Sequence, residues 1–130
     1  MRKTVRELRT PARILVVDDQ KICRDLERAF LEHLGYDVIE AADGDTALAL
    51  LREEWVDLLS TGINLWPEMD GIELARRASE LDPDIKIMFI TGFAAVALNS
   101  DSAAPKNAKV LSKPVHLREL VNEVHKMLAA

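Results

Sequence analysis

Four short apolar runs end abruptly in this chain, and helix-patterned stretches separate them. Ile14-Leu15-Val16-Val17 stops at Asp18-Asp19, Ile85 to Ile90 stops at Thr91, and Val110-Leu111-Ser112 stops at Lys113-Pro114. The fourth run, Val56 to Thr61, leads into Gly62. Brief runs of this kind, rich in β-branched residues, suit strands covered on both faces. Between the first two strands, Ile22, Leu26, Ala29, Phe30 and Leu34 recur at helical spacing, and Gly35 supplies a stop.

The same reading continues along the chain. Strands are predicted over Arg13–Asp18, Tyr36–Glu40, Asp57–Thr61, Ile85–Ile90 and Ala108–Leu111. Helices are predicted from Gln20 to Leu34, from Asp43-Gly44 through Glu54, and from Asp70-Gly71 to Leu81. A weaker one covers Ala94–Ser100, and the last carries Leu117, Leu120, Val121, Val124 and Leu128 on one face. Five strands alternating with five helices, joined by short connections, imply a doubly wound α/β fold: one parallel sheet wrapped on both faces. Residues 13–130 form that domain, and residues 1–12, polar and ending in Thr10-Pro11-Ala12, read as a flexible tail.

Composition narrows the partners. The net charge of −5 argues against nucleic acid and anionic membrane. Cys23 is the single cysteine, so an internal disulfide is ruled out and a reduced, cytoplasmic setting is expected. No run is apolar for long enough to span a bilayer, and the N-terminus lacks the apolar stretch of a secretory signal.

In a sheet of this type, ligand groups collect at the carboxyl edge, where strands end and helices begin. Asp18, Asp19, Gly62, Thr91 and Lys113 all fall there. Adjacent carboxylates repel, so Asp18-Asp19 call for a nearby cation, and magnesium suits their oxygens. Helix capping by Asp19 is the competing explanation. The Thr91 hydroxyl can donate to an anion, with Gly92 letting the backbone approach. Lys113 precedes Pro114, a residue that tolerates a cis bond.

Taken together, these residues resemble the receiver domain of bacterial response regulators, a flavodoxin-like fold. The resemblance covers Arg13 to Ala130. It implies that Asp18, Asp19 and the backbone carbonyl of Asn64 hold magnesium, and that Thr91 and Lys113 contact a phosphoryl group. It also implies a cis Lys113–Pro114 bond, with the lysine reaching back to Asp18 or Asp19. Phe93, directly after Thr91-Gly92, becomes the candidate switch aromatic, since Val110 occupies the position three before the lysine. The matches at Ile63, Leu65, Met69, Asp70 and Gly71 set the register of the loop after the third strand.

Two departures stand out against that pattern. Gly62 occupies the position of the phosphoryl-accepting aspartate, and Trp66-Pro67 replaces proline-glycine. Glycine cannot form an acyl phosphate, and it removes one magnesium ligand, so metal binding is expected to weaken. Ser60 shares a strand face with Gly62 but sits ~6.6 Å back, at ~3.3 Å per residue. Thr61 points to the other face, and neither Asn64 nor Glu68 holds the acceptor's place. Trp66 is read as local packing against the third helix, or as a lid over the pocket or an anchor for a partner.

The resemblance implies a non-enzymatic, phosphorylation-independent receiver that acts by protein contact. Its expected partners are a sensor histidine kinase, a phosphotransfer protein or another signalling protein. The alternative is an ordinary magnesium-dependent phosphoacceptor in which Gly62 is an engineered or strain-specific change. A metal-dependent phosphatase would space its two aspartates by one residue. A flavin or nucleotide binder would want a phosphate loop that Gln20-Lys21-Ile22-Cys23 does not offer.

Overall fold

The structure is a computed structural model that describes residues 11–65, 69–92 and 103–129. Among them lie five strands: β1 (Arg13–Val17), β2 (Asp37–Ala41), β3 (Leu58–Thr61), β4 (Lys86–Thr91) and β5 (Lys109–Ser112). The four helices are α1 (Lys21–His33), α2 (Gly44–Glu53), α3 (Gly71–Leu81) and α4 (Leu117–Ala129). The fifth expected helix, over Ala94–Ser100, falls outside the described residues, as do Trp66 and Phe93.

All the strands are parallel, in the order β2-β1-β3-β4-β5. The order reverses direction between β1 and β3, so the carboxyl ends of those two strands open onto a crevice. Period-two alternation divides the core into two layers. Leu15, Val17, Leu59, Ile87 and Phe89 face the layer under α2 and α3. Ile14, Val16, Leu58, Met88 and Leu111 face the other, with Leu31 of α1 and Leu120 and Val124 of α4.

Local signals explain the boundaries. Asp43 caps α2 by accepting from the Thr46 N–H, and Asp70 caps α3 by accepting from the Glu73 N–H. Helix α1 begins differently. Its N-cap is Gln20 with no side-chain cap bond, so Asp19 does not serve as the cap. The helix ends through Gly35, whose φ of 98° is the left-handed conformation that glycine adopts readily. The Ala12 carbonyl accepts the Asp37 N–H at 3.0 Å, which ties the chain into the sheet before β1 starts.

Candidate functional site

The register puts Val17, Thr61 and Phe89 side by side, so the residues that follow β1 and β3 emerge together. There Asp18, Asp19, Gly62, Asn64, Thr91 and Lys113 line one cleft of roughly 250 Å³. Residues from four stretches far apart in sequence are thus brought to one sheet edge.

Asp18 is the best anchored of the acids. Its Oδ1 accepts the Gln20 N–H at 2.9 Å, and its backbone carbonyl accepts from Arg24 at 2.7 Å. Its Oδ2 lies 3.6 Å from Lys113 Nζ. Asp19 is exposed on the rim. Lys113 is placed by the sheet itself: its N–H donates to the Thr91 carbonyl at 2.9 Å, just beyond β5. The Lys113–Pro114 peptide is cis. Thr91, at the end of β4, is buried at the cleft's inner wall.

Gly62 sits between these groups. Its N–H donates to the Val17 carbonyl at 3.1 Å, and its carbonyl accepts from the Thr61 hydroxyl at 2.8 Å. Among the described residues, a β-carbon built there would meet the Ile90 carbonyl oxygen at 3.8 Å and Leu65 Cδ2 at 3.9 Å. Both are ordinary contacts, so the backbone leaves room for a side chain.

Some features escaped the sequence reading. Gly71 is one: a β-carbon there would lie 1.8 Å from the Gly62 carbonyl oxygen, so glycine lets α3 begin against the strand end. The Gly71 N–H in turn donates to the Ile63 carbonyl at 2.7 Å. Arg24 is another. Besides holding the Asp18 carbonyl, it reaches Glu40 at 3.4 Å, where Arg28 also binds at 2.7 Å. Arg28, with help from Arg24, holds the Glu40 carboxyl below its usual range. The third is Glu27. The Ser60 hydroxyl donates to its two carboxyl oxygens at 3.0 and 3.1 Å, and burial pushes this acid up to about 7. Helical spacing from Cys23 and Leu31 puts Glu27 toward the sheet, the one available signal for it.

A five-stranded parallel sheet, with two acids, a threonine and a lysine converging at the carboxyl edge, defines a receiver domain of two-component signalling. The chain belongs to the response regulator receiver domain family, whose model matches residues 14–125.

Among its relatives is the response regulator receiver protein CpdR of Brucella abortus. It is 62% identical over 117 residues, which cover 90% of this chain and 96% of that one. A response regulator receiver protein from Sinorhizobium medicae superposes with a TM-score of 0.86 at 29% identity, covering 93% of this chain and 97% of that one. The response regulator TrrA of Thermotoga maritima, solved with Mg(2+)-BeF, gives a TM-score of 0.80 at 30% identity, covering 90% and 99%. Among the described residues, no helix is long and apolar enough to cross a membrane.

Proposed function

We propose that this receiver signals without a phosphoryl group on residue 62, through contact with other proteins of a two-component or phosphorelay pathway. One observation carries the reading: the position between Asp18, Thr91 and Lys113 is a glycine. Acyl phosphate formation needs a carboxylate there, and glycine has none. The domain then works as a binding module, not an enzyme. Its partners are a sensor histidine kinase, a phosphotransfer protein or another signalling protein, in the cytoplasm.

The donor set fits magnesium in part. Asp18 and Asp19 supply hard carboxylate oxygens, and the Asn64 backbone carbonyl is a third candidate beside them. Among the described residues no group of three or more acids, histidines or cysteines is arranged to hold a metal. Magnesium held by so few protein oxygens keeps most of its water and binds weakly. When bound, it would neutralise the paired acids. Lys113 already offsets Asp18.

A second reading follows from the space at Gly62. A β-carbon there makes only ordinary contacts, so the first carbon of an aspartate fits without a clash. The glycine would then be an engineered or strain-specific change in an otherwise ordinary phosphoacceptor.

Amide NMR during titration with magnesium and then beryllofluoride tests the first reading. Small shifts at Asp18 and Asp19 with magnesium, and none with beryllofluoride, are expected. Saturable beryllofluoride shifts at Thr91 and Lys113 would contradict it.

A further inference from the structure

On the sheet face below Gly62, the packing leaves a second opening between α1 and α4. It is a groove of roughly 560 Å³, within the range of sites that take small organic ligands. Its walls are largely apolar, with Leu26 from α1, Ile90 from β4, and Val115 and Leu120 from the α4 side. Three of the four exposed large apolar residues among those described belong to its two helices. Leu26 is 68% exposed, Ile22 one turn before it 71%, and Leu117 57%.

One carboxyl interrupts this apolar lining. Glu27 projects from α1, and its hydrogen-bond partner among the described residues is the Ser60 hydroxyl. A hydroxyl has a single proton to give, so most of the lone pairs on the two carboxyl oxygens stay unmet. The other charged groups lining the groove are Asp18 and Lys113, and they pair with each other at 3.6 Å. Cys23 is the remaining titratable group of the lining. Glu27 is therefore the acid of the lining that makes no ion pair among the described residues: Lys113 attracts it only from a distance, Asp18 repels it, and desolvation, the largest effect, holds it up at about 7. An anionic ligand would meet repulsion at this point, and among the described residues no group of three or more acids, histidines or cysteines gathers there to hold a metal firmly. An organic ammonium supplies both the missing donors and the missing charge, while its hydrocarbon part fits the walls.

We infer that the groove between α1 and α4 is a binding site for a small organic cation with an apolar body. The charged head meets Glu27 and Ser60, and the hydrocarbon lies along Leu26, Ile90 and Leu120. The groove adjoins the Gly62 cleft and shares Asp18, Gly62, Ile90 and Lys113 with it, but Glu27, Ser60, Leu26 and Leu120 line the groove and not the cleft. The inference holds whether or not residue 62 takes part in phosphoryl chemistry.

The probe pair 2-phenylethylammonium and 2-phenylethanol tests this on the unaltered protein, because the two share a body and differ in charge. Amide NMR should show saturable shifts at Cys23, Glu27, Ser60 and Leu117 with the ammonium. The alcohol should bind about tenfold more weakly, equivalent to ~1.4 kcal/mol. Glu27→Gln keeps the shape and the Ser60 hydrogen bond, and should weaken the ammonium by a similar factor. Failure of the ammonium to shift those residues, equal binding of the alcohol, or undiminished binding in a folded Glu27→Gln protein would each overturn the inference. The two-probe comparison decides the matter even where the variant does not fold.

Discussion

Lys113 Nζ stands 3.6 Å from Asp18 Oδ2, across a cleft whose centre is Gly62. The lysine's side chain is 42% exposed and the acid's 17%, so the pair lies at the rim, where water competes for both groups. Rim pairs of this geometry contribute little to folding, roughly 0–1 kcal/mol. Lys113→Ala should therefore leave the urea midpoint almost unchanged. A large loss of stability would mean that the lysine is a structural brace and not part of a site.

Gly71 should behave in the opposite way. A methyl group there collides with the Gly62 carbonyl oxygen, which belongs to backbone and cannot rotate aside. Gly71→Ala must push α3 away from the end of β3, breaking the 2.7 Å bond from the Gly71 N–H to Ile63. A cost of about 3 kcal/mol is expected, in line with other overpacked positions. Urea unfolding gives the number directly.

The two helix caps offer a calibrated comparison. Asp43 and Asp70 each accept one N–H of the first turn, at 2.7 and 2.8 Å. Removing either carboxylate with alanine should cost ~1 kcal/mol. Asp19→Ala should cost less, since α1 has no side-chain cap bond. A loss at Asp19 equal to that at Asp70 would contradict the assignment of Gln20 as the cap position.

Stability should also depend on pH through Glu27. Burial raises this carboxyl to about 7 in the folded chain, against 4.5 as its ordinary value. The folded state then holds a proton that the unfolded state gives up between those two values. Stability from this group is fully present below pH 4.5 and is lost as pH rises through about 7. The loss should be roughly 2 kcal/mol, after allowing for the groove's access to water. Glu73 works the other way. The guanidiniums of Arg76 and then Arg77 hold it down at about 2, so its contribution disappears as the solution is acidified. Melting temperatures across pH 5 to 8 should fall in the parent protein and stay flatter in Glu27→Gln.

The strand ends were legible in the sequence because apolar runs must be short and must stop where the sheet's edge meets water. That rule alone placed Asp18, Gly62, Thr91 and Lys113 on one edge, and the sheet order β2-β1-β3-β4-β5 brings them together. Five strand positions were read to within a residue. Asp57, expected in the third strand, lies just before it and accepts the Arg13 N–H through its side chain at 2.8 Å.

Contacts between elements were not legible. The meeting of Ser60 with Glu27 depends on how far α1 stands from β3, and the need for glycine at 71 depends on the path of the chain after Gly62. Arg24 reads as a surface residue in any helical projection, yet it folds back onto the Asp18 carbonyl. Leu117 was expected on the apolar face of the last helix, but it is exposed at the groove. Phe93 and Trp66 lie outside the described residues, so their proposed roles rest on sequence alone.

Mass spectrometry of the intact protein, beside Gly62→Asp, tests the central claim most directly. Both are incubated with acetyl phosphate and magnesium. The first carbon of the added side chain fits: among the described residues beyond its chain neighbours, the nearest atom to it is the Ile90 carbonyl oxygen at 3.8 Å. The aspartate variant should gain one hydroxylamine-labile phosphoryl group, and the parent protein should stay at its starting mass. A labile phosphoryl adduct on the parent protein would contradict the account.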